Sequence, residues 1–277
     1  MPKDIYKEIV ELRTRGIRAA LATIISRKGA TPRKDAAKML VYEDGRQLGT
    51  IGGGSAEAEV RNESLRAIET GTPKLLSFDF KDVDPEENAL VCGGFMEVYV
   101  EPVLPDPALF IFGAGHVSKA LSQAAKPAGF KIAVIDDRPK YATPDRFPDA
   151  DAFYVGNWEE VLKQLPVNDS SYLFIATHGQ QFDLICLRFA LQSNARYIGM
   201  LGSFKKARLL FEVLEKEGID SSGFERVVLP AGLDIGSETP EEIAVSIVAE
   251  LIAVRKKKDI RALKEELRRK RSAGSRE

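Results

Sequence analysis

One stretch constrains this chain more than any other: Leu109-Phe110-Ile111-Phe112-Gly113-Ala114-Gly115-His116-Val117-Ser118. An apolar run of strand length leads straight into Gly-x-Gly-x-x-Ser, and helix-periodic sequence follows. In such a turn the first glycine makes the tight bend, and the second lets a phosphate approach the backbone. The helix start then offers free N–H groups at the positive end of its dipole. Ser118 stands where a third glycine is usual and is small enough for close packing. Asp136 and Asp137 end the next apolar run, about twenty residues on, where a carboxylate meets a nucleotide's ribose. That placement favours a ribose 2′-hydroxyl over a 2′-phosphate, with Arg138 beside it as the contrary sign. A glycine turn in an α/β fold without a ligand has the same spacing, so the acid at 136 separates the two readings.

Beyond this motif the pattern alternates. Apolar runs at 131–135, 152–155, 172–176 and 196–201 are interleaved with helical periodicity, and Thr239-Pro240-Glu241-Glu242 is a helix-start signature. The alternation predicts a Rossmann-like parallel sheet with helices on both faces over residues 108–255. Upstream, residues 1–103 read as a small α+β domain. A helix opens at Ile5 and ends at Gly16, strands fall near 19–25, 38–42, 47–48, 74–80 and 95–100, and Asp44-Gly45 marks a hairpin. A further helix, capped by Ser55, runs to about Glu69. Pro102, Pro105 and Pro107 place a linker at about 102–108, and residues 256–277 form a basic helix or tail.

Composition removes several classes. The chain has 277 residues, 44% of them hydrophobic and 29% charged, with a formal net charge of -1. That mix buries a real core and makes the whole no polyelectrolyte. From Arg255 onward, eleven Lys/Arg face four Asp/Glu, which reads as a solvated face or a dock for an acidic partner. Without interleaved aromatics it does not indicate nucleic acid. Two cysteines, Cys92 and Cys186, form no disulfide framework and suit a reducing cytosol. No leader pattern and no apolar run of the ~20 residues needed for a bilayer is present, so a cytoplasmic protein without membrane contact is expected.

The remaining candidates sit in loops. Both histidines, His116 and His178, directly follow expected parallel strands, the edge where open α/β sheets bind ligands. They lack the spacing of a close ligand pair, and no metal is assigned. Gly202-Ser203 precedes Lys205, Lys206 and Arg208. Ser203 can cap a helix whose first turn is positively charged, and an anion there would relieve the unfavourable dipole interaction. The Gly232–Gly236 loop is expected to shape the same rim. Gly52-Gly53-Gly54 before Ser55 is a second backbone cradle for an anion. Cys92, beside Gly93 and Gly94, is unshielded enough to bind a soft metal or carry sulfur, though an inert buried thiol fits the same sequence. Cys186 lies among Leu184, Ile185 and Leu187 and reads as core.

Taken together, these pieces resemble the XdhC/CoxI family of xanthine dehydrogenase accessory factors. The resemblance rests on Gly29-Ala30-Thr31-Pro32-Arg33, Gly49-Thr50-Ile51-Gly52-Gly53-Gly54 with Glu57, Cys92-Gly93-Gly94, and Phe112-Gly113-Ala114-Gly115-His116-Val117. It continues through Asp136-Asp137-Arg138-Pro139, Gly199-Met200-Leu201-Gly202-Ser203 and Gly232-Leu233-Asp234-Ile235-Gly236. The resemblance implies a molybdenum cofactor chaperone, a role rather than a turnover reaction. Such a protein binds the anionic pyranopterin, protects it during sulfuration and delivers it to an apo molybdenum hydroxylase. A cysteine desulfurase is a further implied partner, and a homodimer the implied assembly. By the same analogy Cys92 touches molybdenum or the transferred sulfur, while Gly52–Gly54, Gly113, Gly115, His116, Ser118, Asp136, His178, Gly202 and Ser203 hold the cofactor. An NAD(P)-dependent oxidoreductase and a nucleotide-sensing module are the competing readings of the same glycine turn.

Overall fold

The computed structural model describes residues 4–28, 37–80, 94–259, 262 and 264. The chain divides into two compact units, Met1–Asp106 and Pro107–Glu277. The first unit contains α1 (Ile5–Arg15), β1 (Ala19–Lys28), β2 (Lys38–Tyr42), β3 (Gln47–Gly49), α2 (Gly54–Thr70), β4 (Lys74–Asp79) and β5 (Phe95–Val103). Its strands form one antiparallel sheet in the order β3-β2-β1-β5-β4. Gly16 and Gly71, both at positive φ, end the two helices. Alternation along β1 buries both faces. Ala20, Ala22 and Ile24 pack with Val60, Ala67 and Ile68 of α2, while Ala19 and Leu21 pack with Leu12 of α1.

Two local expectations are corrected in this unit. The cap of α2 is Gly53 (φ 84°), not Ser55, which falls inside the first turn. Successive positive φ values at Gly52, Gly53 and Gly54 bring the chain into the helix by a route open to glycine alone. Pro102 does not interrupt structure either, because it lies in β5 opposite Ala20. The missing N–H is tolerated because β4 pairs with β5 only as far as Val100.

The second unit contains β6 (Ala108–Phe112), α3 (His116–Ala125), β7 (Lys131–Asp136), β8 (Ala152–Val155), α4 (Trp158–Leu162), β9 (Ser171–Ile175), α5 (Gln180–Gln192), β10 (Tyr197–Met200), α6 (Phe204–Lys216), β11 (Val227–Val228) and α7 (Pro240–Arg255). Its six strands are parallel, in the order β8-β7-β6-β9-β10-β11. Numbered within the unit, this is 3-2-1-4-5-6, the order of dinucleotide-binding sheets. Leu109, Ile111 and Phe174 face a core shared with α3 and α7. Phe110, Phe112, Leu173 and Ile175 face the opposite core with α4, α5 and α6. Each fully buried side chain of this size contributes about 1.5–3 kcal/mol. Thr239 and Glu242 form the capping box that starts α7.

The order of strand addition reverses between β6 and β9: the chain builds outward from β6 through β7 and β8, then crosses back to add β9, β10 and β11 on the other side. The loops following these two strands therefore open a crevice at the carboxyl edge of the sheet.

Candidate functional site

The crevice is built around the β6–α3 turn. Gly113 has φ 102°, and a Cβ there would lie 2.2 Å from the Ala176 carbonyl oxygen, so the bend passes hard against the end of β9. Gly115 is the opposite case. A Cβ added to it would meet nothing within 4 Å, so its open side faces the cleft. Gly115 is also the N-cap of α3, no side chain caps that helix, and its first turn has no acid. A backbone approach, free helix amides and a positive dipole end converge at one point.

Asp136 is fully buried and braces this turn. One carboxylate oxygen accepts from the backbone N–H of Ala114 at 2.7 Å and from Arg138 Nη2 at 2.9 Å. The other accepts from the Arg138 backbone N–H at 2.9 Å and from Arg138 Nε at 2.8 Å. Burial acts to raise its pKa, but the Arg138 guanidinium and these N–H donors outweigh it and hold the carboxyl below its ordinary value. Next to it, Asp137 Oδ1 lies 2.9 Å from His178 Nε2, and the His178 ring packs 4.5 Å from Phe182. Asp136, Asp137 and His178 thus cluster closely enough for a metal, although all four contacts on Asp136 are already made within the protein.

A cleft of about 300 Å³ lies over Gly115, with His116 and His178 on its rim. Arg138, Tyr141 and Arg146 also border it. Sequence spacing could not find Tyr141 and Arg146, which lie in irregular chain between β7 and β8 and follow no period. Arg146 Nη2 donates to the Ala114 carbonyl at 3.2 Å, tying that loop to the glycine turn. Thr177 Oγ1 donates to buried Asp183 at 2.7 Å, and Asp183 is ion-paired with Lys206.

The other candidates fall elsewhere. Ser118 is buried in the first turns of α3, and its hydroxyl has no hydrogen-bond partner among the described residues. Ser203 does cap α6, accepting from the Lys206 backbone N–H at 3.3 Å, and Asp183 supplies the negative charge beside Lys206. Gly202 and the Gly232–Gly236 loop border a second cavity of about 690 Å³. Close by, buried Glu250 accepts from the Gly232 N–H at 3.1 Å and pairs with Lys264 at 2.6 Å. Burial first, then Glu250, pushes the Tyr197 hydroxyl well above its ordinary pKa.

In the N-terminal unit the Gly52–Gly54 cradle holds the chain's own Glu57. That carboxylate accepts from the N–H groups of Ile51 (3.1 Å) and Gly53 (3.0 Å), from Gln47 (2.8 Å), and from the Thr50 hydroxyl. Burial raises its pKa, and the combined hydrogen bonds pull it below the usual range. Cys92 lies outside the described residues. Cys186 is buried in α5 as expected, and burial pushes its thiol pKa well up. Among the described residues, no helix is long and apolar enough to cross a membrane.

The 3-2-1-4-5-6 parallel sheet and its uncapped glycine turn define a Rossmann-domain protein, preceded by a small antiparallel α+β unit. The chain belongs to the XdhC and CoxI family: the XdhC Rossmann domain matches residues 109–251, and the XdhC and CoxI family matches residues 12–79. It is 33% identical over 253 residues to the uncharacterized protein YqeB of Escherichia coli K12, covering 91% of this chain and 46% of that one. It is 36% identical over 160 residues to a probable xanthine dehydrogenase component of Bacillus subtilis 168, covering 58% and 46%. The chain therefore spans about half the length of these two relatives. The molybdenum cofactor insertion chaperone PaoD of E. coli K12 is 22% identical over 302 residues, covering 91% of this chain and 88% of its own. A crystal structure described as a xanthine dehydrogenase from Bacillus halodurans superimposes with a TM-score of 0.51 at 25% identity, covering 91% of this chain and 96% of that one. Membership of this family points to accessory factors of the XdhC type.

Proposed function

We propose that this protein binds molybdenum cofactor and hands it to an apo molybdenum hydroxylase of the xanthine dehydrogenase type, without redox turnover of its own. The observation that carries the reading is the open Gly115 turn at the uncapped start of α3, in an XdhC-family Rossmann domain. The pyranopterin's phosphate is the group that such a turn suits. The near-full-length similarity to a molybdenum cofactor insertion chaperone supports the same role. In this reading Cys92 contacts the metal or the sulfur being added, a cysteine desulfurase supplies that sulfur, and the protein acts in the cytoplasm as a homodimer.

The test is activation of apo-hydroxylase by purified protein carrying cofactor. Activation that depends on this protein supports the role. Equal activation by free cofactor at the same concentration, with no pterin retained on the protein, contradicts it.

A nucleotide reading of the same cleft is supported by the sheet order, which is shared with sheets that bind dinucleotides at the turn after their first strand. In that reading the cleft holds NAD(P) or a related nucleotide, as a sensor or as an oxidoreductase cofactor.

A further inference from the structure

Three cations gather around one ring at the end of β7. The Arg138 guanidinium lies 4.2 Å from the Tyr141 ring centroid, Arg146 lies 4.9 Å from it, and Lys140 Nζ lies 5.2 Å from it. In a Rossmann sheet this is where the adenosine ribose of a dinucleotide falls. An acid that reads the 2′-hydroxyl must have a lone pair facing the ligand. Asp136 does not, because it is fully buried and both its oxygens accept from Ala114 and Arg138. Asp137 is turned to His178 at 2.9 Å and also lies 3.9 Å from Arg138 Nε. Two acids against three cations leave the cluster net positive. Arg146 has a carbonyl and the ring as its contacts, with no carboxylate against it among the described residues.

We propose that the cleft selects a nucleotide bearing a phosphomonoester on its ribose, as in NADP⁺, over one with a free ribose diol, as in NAD⁺. This rests on the nucleotide reading of the cleft. The sequence alone pointed the other way, because Asp136 sits at the diol-reading position. In the folded chain Arg138 covers that acid and, with Lys140 and Arg146, replaces an acceptor by donors. A planar guanidinium matches two phosphate oxygens at once, and stacking on Tyr141 fixes its plane. The Gly115 turn is left for the pyrophosphate.

Calorimetric titration of the full chain with NADP⁺ and with NAD⁺, at one fixed salt concentration, tests this. The expected result is NADP⁺ binding at least about tenfold tighter than NAD⁺. Arg146→Ala is expected to weaken NADP⁺ by at least about fivefold more than it weakens NAD⁺, and so to remove most of that preference. Arg138→Ala, which uncovers Asp136, is expected to narrow the gap by raising NAD⁺ affinity. Thermal melting of each variant confirms that it is folded, and Arg146→Lys is expected to restore part of the preference. NAD⁺ binding as tightly as NADP⁺ overturns the selectivity while leaving the nucleotide reading intact. Binding of neither dinucleotide overturns both. Equal weakening of both ligands by Arg146→Ala also overturns the proposal.

Discussion

Gly113 and Gly115 are two residues apart and do different work. The first has φ 102° and no room for a Cβ, so Gly113→Ala meets the Ala176 carbonyl as well as an unfavourable backbone conformation. It is expected to cost about 3 kcal/mol or more. Gly115 has φ −80° and open space, so Gly115→Ala is expected to leave stability within about 1 kcal/mol while obstructing whatever binds the turn. Urea unfolding of the two variants separates them, and equal destabilisation would contradict the assignment. Asp136 is the third residue of consequence. Because its folded-state pKa lies below the ordinary 3.8, its contribution is full above about pH 4 and is lost as pH falls through the lower, folded value. Asp136→Asn is expected to destabilise by about 2–4 kcal/mol at neutral pH and to flatten stability over this acidic range. Unchanged acid unfolding would show that the Arg138 contacts add nothing.

At the scale of elements, the parallel sheet was legible because its signals are local and repeated. Each strand is a short apolar run, and each helix start has a recognisable cap or glycine turn. Strand β5 runs past its expected end because what matters at Pro102 is not its missing N–H alone but that β4 ends before reaching it. The start of α2 misled for a related reason. Ser55 has the chemistry of a cap, but three positive-φ glycines start the helix earlier, and Glu57 returns to the amides of Ile51 and Gly53. The cradle at 52–54 is thus legible as an anion site, while the anion that fills it, four residues beyond Gly53, is visible only in three dimensions. Glu57→Ala is expected to lower stability by about 1–3 kcal/mol by stranding the N–H groups of Ile51 and Gly53. Chemical denaturation measures it, and a neutral result would mean that water satisfies those donors equally well. Tyr141 and Arg146 were not legible at all, because a loop between β7 and β8 has no period to place its residues against the glycine turn.

For the molecule as a whole, the XdhC-type Rossmann domain with an open glycine turn at an uncapped helix start is what the proposed role as carrier of an anionic cofactor rests on. The family was legible in the sequence, since the order and number of its motifs match the XdhC and CoxI family; the cargo is what that membership suggests. The electrostatics of the cleft depend on which charges the fold has already paired, and spacing does not reveal that. Asp136 and Lys206 look like ligand contacts in the sequence, yet Arg138 and Asp183 engage them in the fold. The most direct measurement is mass spectrometry with metal analysis of protein purified after co-expression with molybdenum cofactor synthesis, beside its Cys92→Ala variant. The account predicts stoichiometric pterin and molybdenum on the parent protein and a marked loss from the variant. A parent protein that retains no pterin or molybdenum, under conditions where it activates no apo-hydroxylase, would contradict it.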